Sequence, residues 1–173
     1  MTSNLKEVCF RIPIDANLCD NCAQIKVYQE SSIDEYNYLQ ITKNISIINN
    51  AIDFNDKMGP KIEIAQGNNK ISNGSAILAN NNLQVTLIDT SGINLMETIG
   101  HKIQYKFDNE NLTQISGNEF VYINCDSGTV NIPISLNLNQ GGHILYFEAW
   151  DGVNNKSSVE YKLDIIKFSH NSN

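Results

Sequence analysis

The run His143-Ile-Leu-Tyr-Phe-Glu-Ala-Trp150, followed by Val159-Glu-Tyr-Lys-Leu-Asp-Ile165, decides the fold class. In the second run Val159, Tyr161, Leu163 and Ile165 alternate with Glu160, Lys162 and Asp164, the period-two pattern of a strand with one buried face. The first run is apolar on both faces and reads as a central strand, with the Trp150 ring buried between sheets. Working outward, the same alternation recurs in Val8/Phe10/Ile12/Ile14, Ala23/Ile25/Val27, Leu39/Ile41 and Ile45/Ile47. It continues in Leu83/Val85/Leu87, Ile103/Tyr105/Phe107 and Val130/Ile132/Ile134/Leu136/Leu138. Turn signals lie between these runs: Gly67-Asn68-Asn69, Asn73-Gly74, Ser91-Gly92, Ser116-Gly117, Ser127-Gly128 and Gly141-Gly142. No stretch carries a helical period. The chain is therefore read as all-β, an immunoglobulin-like antiparallel β-sandwich.

The sandwich is expected over residues 55–168, which supply seven or eight strands. Asn55-Asp-Lys-Met-Gly-Pro60 opens it, because Pro60 holds Gly59 away from the helical region and fixes an extended entry. Residues 1–54 supply too few strands for a secure core and read as a smaller partial β module, the end of a larger β domain or a sheet completed by a partner. The polar tail 169–173 is expected to be disordered.

With 173 residues, 41% of them hydrophobic, the chain can bury a sizeable core and is not a disordered acidic tail. A formal charge of −7 excludes a nucleic-acid backbone binder and a polybasic membrane-surface protein. No apolar run reaches the ~18–20 residues of a membrane-spanning helix. The start Met1-Thr-Ser-Asn-Leu-Lys-Glu7 has neither a basic nor an apolar region, so no export signal is read there.

Four cysteines occur, Cys9, Cys19, Cys22 and Cys125. Cys19-Asp-Asn-Cys22 has metal-ligand or redox spacing, but no second such pair exists and no helix follows, so it reads as a hairpin loop with incidental thiols. The histidines, His101, His143 and His170, are scattered, and no serine sits in a nucleophile elbow. No catalytic or cofactor-binding residue is assigned. Loop carboxylates are the better lead. Asp56, Asp89 in Asp89-Thr-Ser-Gly92, and Asp151 in Trp150-Asp-Gly-Val-Asn-Asn155 are calcium candidates, because calcium takes Asp and Asn oxygens in flexible loops. The competing reading is that these residues make turns through side-chain-to-backbone hydrogen bonds.

Residues 55–168 resemble the C-terminal region of the type IX secretion sortases, the gingipain-like surface cysteine peptidases of Bacteroidetes (the PorU family). The matching segments are Asn55-Asp-Lys-Met-Gly-Pro-Lys-Ile-Glu-Ile64, Asp89-Thr-Ser-Gly-Ile-Asn94 and Ile99-Gly-His-Lys-Ile103. They continue with Asn118-Glu-Phe-Val-Tyr122, Gly142-His-Ile-Leu145 and Ala149-Trp-Asp-Gly-Val-Asn-Asn-Lys-Ser-Ser158. Phe10-Arg-Ile-Pro-Ile-Asp15 and Ala23-Gln-Ile-Lys-Val-Tyr28 are more loosely similar to the β region just before it. Members of that family remove the C-terminal signal of secreted cargo and help attach the cargo to surface lipopolysaccharide. Their catalytic Cys and His lie in an upstream gingipain-like domain that nothing in this chain matches. The resemblance thus implies a non-catalytic region at the cell surface or outer membrane, with the remainder of a peptidase or secretion components as protein partners. The alternative is a free-standing immunoglobulin-like module for adhesion or carbohydrate binding. A small metal- or thiol-dependent enzyme would rest on Cys19 and Cys22 alone.

Overall fold

The computed structural model describes residues 11–14, 16, 19–30, 38–47, 55–97, 100–135 and 137–167. Val8, Cys9, Phe10, Leu136, His170 and the tail 169–173 lie outside them. The chain divides into two compact units, Met1–Asp15 with Phe54–Asn173, and Ala16–Asp53.

In the smaller unit, β1 (Cys19–Glu30) and β2 (Tyr38–Ile47) form an antiparallel pair. Ala23 stands opposite Ile45 and Val27 opposite Ile41 in the register. The separate runs Leu39/Ile41 and Ile45/Ile47 are one strand, because Thr42, Lys43 and Asn44 stay paired with Lys26, Ile25 and Gln24. Cys19-Asp-Asn-Cys22 is not the expected hairpin loop. It opens β1 at a register shift between Cys19 and Ala23, where Asn21 adopts φ 53°. There the Asn21 amide donates to Ser46 Oγ (3.1 Å), and that hydroxyl donates to Asp20 Oδ1 (2.6 Å).

The larger unit is a two-layer sandwich. One sheet runs β4 (Asn69–Lys70), β3 (Lys61–Gln66), β6 (Leu83–Ile88), β10 (Ser127–Ile132), β9 (Val121–Asn124). The other runs β5 (Ser75–Leu78), β12 (Lys156–Ile166), β11 (Gly141–Trp150), β7 (Gln104–Phe107), β8 (Thr113–Gln114). Pairing is antiparallel throughout except where β5 runs parallel to β12. Leu83, Val85 and Leu87 of one sheet and Leu145, Phe147, Leu163 and Ile165 of the other are buried in a single core. Burying each such side chain stabilises the fold by roughly 1.5–3 kcal/mol, which is why the alternation persists through so polar a sequence.

Several local expectations are corrected by the pairing. Residues 11–14 form no strand and belong with the sandwich, not with the first module. Ile12 and Ile14 are exposed (47% and 67%), because no neighbouring strand pairs with the segment to give its alternation a buried side. Ser127-Gly128 lies inside β10 and Gly141-Gly142 begins β11, while the turn before β10 is made by Cys125 and Asp126. The run from Val130 leaves the sheet at Pro133, which has no N–H to donate, although Ile134 and Leu138 still reach the core. Trp150 is not between the sheets. Leu145, Phe147 and Ala149 take the inward face of β11, so the period of two turns Tyr146, Glu148 and Trp150 outward.

Candidate functional site

Three segments far apart in the chain meet at one end of the sandwich: residues 56–60, 89–94 and 149–157. Each begins its turn with an aspartate folded back onto the amide two residues on. Asp56 Oδ1 accepts from the Met58 N–H at 3.0 Å, Asp89 Oδ1 from Ser91 at 2.7 Å, and Asp151 Oδ1 from Val153 at 2.9 Å. The Ser91 hydroxyl adds a 2.6 Å bond to Asp89, and Asn155 adds its backbone N–H (2.7 Å) and its Nδ2 (2.8 Å) to the two oxygens of Asp151. The turn-making reading of these carboxylates is therefore realised at all three positions.

Those turns bring the three side chains together. One oxygen from each of Asp56, Asp89 and Asp151 lies within 4.8 Å of the other two. Two ligands on opposite sides of a calcium ion are about 4.8 Å apart, twice the usual oxygen–calcium distance, so the spacing suits a shared ion. Asp151 is completely buried and Asp89 nearly so (8% exposed). Among the described residues no Lys or Arg forms an ion pair with any of the three. Burial raises the Asp89 pKa, and the charges of Asp151 and Asp56 raise it further, against the lowering effect of the Ser91 bonds. An oxygen-only donor set of this kind fits a hard cation such as calcium and not zinc.

The junction is closed by backbone contacts that leave no room for side chains. A Cβ on Gly152 would stand 2.3 Å from the Ser91 carbonyl oxygen, and one on Gly59 2.4 Å from the Lys156 carbonyl carbon. Gly152 donates its N–H to the Gly92 carbonyl (2.9 Å), and Asn94 donates to that of Trp150 (2.9 Å). One further segment is fastened here, and the 56–60 segment gains a second tie. The Ile14 N–H donates to the Gly152 carbonyl at 2.7 Å, and Asn155 Nδ2 donates to the Asp56 carbonyl at 3.1 Å. Arg11 secures the first of these, its Nε and Nη2 both donating to Asp126 Oδ1 (3.1 and 2.9 Å). Arg11 and Asp126 escaped the sequence reading. They are ordinary polar residues whose roles come only from a pairing across 115 positions.

The other candidates are placed as follows. Cys125 is disulfide-bonded, which removes it as a thiolate ligand for zinc. Cys9 lies outside the described residues. His143 sits at 2.6 Å from Asp108 Oδ2 through Nδ1 and at 2.9 Å from the Asn139 carbonyl through Nε2, so both ring nitrogens face acceptors. That arrangement favours a protonated imidazolium and leaves no free nitrogen for a nucleophile. The His101 ring packs tilted against that of Trp150 (centroids 4.6 Å apart, 57° between planes), with Lys156 Nζ 5.8 Å from the Trp150 ring centre. Beside them Glu148, 7% exposed, accepts from Gln104 and from the Tyr146 hydroxyl and pairs with Lys156 at 3.5 Å. Burial pushes the Glu148 carboxyl up, but those partners outweigh it and hold the group below its ordinary range.

No family model and no curated protein matches the sequence. A solved structure does match: dimeric latent PorU from Porphyromonas gingivalis, with a TM-score of 0.60 and 18% identity over 92% of this chain. The chain shares the fold of a PorU segment. The match spans 15% of the PorU chain, so it bears on one β region of a much longer protein. Three of the six segments on which the expected resemblance rests, 55–64, 89–94 and 149–158, include the ones that build the junction.

Proposed function

We propose that this chain is a non-catalytic β region of a type IX secretion, PorU-type surface protein, which supports or positions a sortase-like cysteine peptidase or contacts secretion partners. The observation that carries the reading is the convergence of three dispersed motifs, Asp56-Lys-Met-Gly-Pro60, Asp89-Thr-Ser-Gly-Ile-Asn94 and Ala149-Trp-Asp-Gly-Val-Asn-Asn155, on one junction within a PorU-like fold. A disulfide at Cys125 agrees with it, since such bonds persist in the periplasm and at the cell surface and are rare in the cytosol. In the same reading, Asp56, Asp89 and Asp151 hold a calcium ion that neutralises the buried charge and ties residue 56 to the sandwich. The chain itself performs no chemistry in this scheme.

Intact cells treated with a membrane-impermeant biotin reagent should label the chain, and Cys125 should resist alkylation until reduced. Labelling only after lysis, together with a freely alkylated Cys125, would overturn the surface assignment. Calcium should raise the unfolding temperature of the purified chain relative to chelator. At calcium a hundredfold above Kd the gain is about 2.7 kcal/mol.

A further inference from the structure

We infer that the turn 151–155 is a latch that holds both chain connections of the Ala16–Asp53 unit, so that loosening one connection loosens the other. The entry connection reaches the turn through the Ile14 N–H on the Gly152 carbonyl (2.7 Å), and the exit connection through the Asp56 carbonyl, which accepts from Asn155 Nδ2 (3.1 Å). Gly152 and Asn155 belong to the same short turn. Its shape is set from within by Asp151, which accepts from Val153 and Asn155, and from without by the bond from Gly152 to the Gly92 carbonyl.

Pro60 is buried where the exit segment enters the sandwich, but the apolar side chains nearest the two bonds are not. Ile14 is 67% exposed and Met58 78% exposed, so the two segments are held chiefly by polar contacts, aided by the exposed Arg11–Asp126 pair. Segments held in this way open at a small fraction of the cost of unfolding a core strand. The Asp151 carboxylate supplies the coupling, because one Asn155 side chain bonds both to it and to the exit segment. Losing that amide frees the exit and, by relaxing the turn, misplaces the Gly152 carbonyl that receives the entry. The device needs neither a bound cation nor the sortase-type reading.

The test is amide hydrogen exchange on the full chain. Asn155→Ala should speed exchange of the Ile14 amide about fivefold, the factor one ordinary hydrogen bond makes in an opening equilibrium, although no hydrogen bond joins the two residues. The Leu145 and Leu163 amides should keep their protection. The reciprocal variant, Ile14→Pro, removes only the entry donor at an exposed side chain and should speed exchange at Met58 by a similar factor. An unchanged Ile14 amide in Asn155→Ala, or acceleration there matched at Leu145 and Leu163, refutes the latch. Should Asn155→Ala fail to fold, Ile14→Pro decides alone, and an unchanged Met58 amide refutes it equally.

Discussion

Asn155 and Asp56 stand 99 positions apart in the chain and meet through one 3.1 Å hydrogen bond, from the amide of the first to the carbonyl of the second. The same amide nitrogen also donates to Asp151 Oδ2, at 2.8 Å. A single side chain thus connects the start of the sandwich, the end of its central strand and the buried carboxylate between them. It joins two loops far apart in the chain, 56–60 and 151–155, into one structural feature.

Replacing Asp89 by Asn should stabilise the calcium-free protein at neutral pH and abolish the response to calcium. With its folded pKa raised above 3.8 by burial and by two neighbouring carboxylates, Asp89 favours folding only while protonated. That contribution is complete below 3.8 and is lost as pH climbs through the raised value. The neutral amide keeps an oxygen for the Ser91 donors and removes the repulsion. Thermal melts with calcium and with chelator check this. A metal-free Asp89→Asn protein less stable than the parent at pH 7 counts against the account.

The Asp108–His143 pair predicts a stability window. Hydrogen bonding to Asp108 raises the His143 pKa, so its contribution is full below 6.5 and disappears as pH rises through the raised value. Burial opposes ionisation of Asp108, but the Ile144 N–H and His143 prevail, so its contribution is present above 3.8 and is lost as acid takes pH below that. The stability difference between the parent and His143→Asn should therefore be larger at pH 5 than at pH 9. Equal differences at the two values would show that the pair is not ionised as described.

Loss of the Cys125 disulfide should be costly. Cys125→Ser is expected to lower stability by about 2–5 kcal/mol under oxidising conditions, the usual range for a native disulfide. Adding a reductant to the parent should reproduce most of that loss, and urea denaturation compares the two directly. A reductant without effect on the midpoint would contradict the prediction.

Phe147 and Trp150 should respond oppositely to their sizes. Phe147→Ala empties a fully enclosed site and should cost about 3–5 kcal/mol. Trp150 faces outward against His101 and Lys156, so Trp150→Ala should cost nearer the ~1 kcal/mol typical of point substitutions. Denaturation midpoints that rank Trp150 above Phe147 would reverse the assignment of the two faces of β11.

Much of the fold was legible from local pattern. Alternation in Leu83–Ile88 and in Lys156–Ile166 marks strands because a one-sided core selects every second side chain, whatever lies across from it. The same rule misleads at Ile12 and Ile14, where alternation occurs without a sheet. It also points Trp150 inward, since both faces of His143–Trp150 carry apolar residues, whereas Leu145, Phe147 and Ala149 take that face.

Of the candidate site, the residue types were readable and their meeting was not. Asp56, Asp89 and Asp151 each announce a turn through a hydrogen bond spanning two residues, a local matter that sequence alone determines. Their approach to within 4.8 Å depends on the ends of β6 and β11 and the entry to β3 lying at one edge of two packed sheets. That placement, like the grip of Arg11 on Asp126, is set by strand order and register. These are long-range pairings, chosen by the packing of the whole core, and no short stretch of sequence contains them.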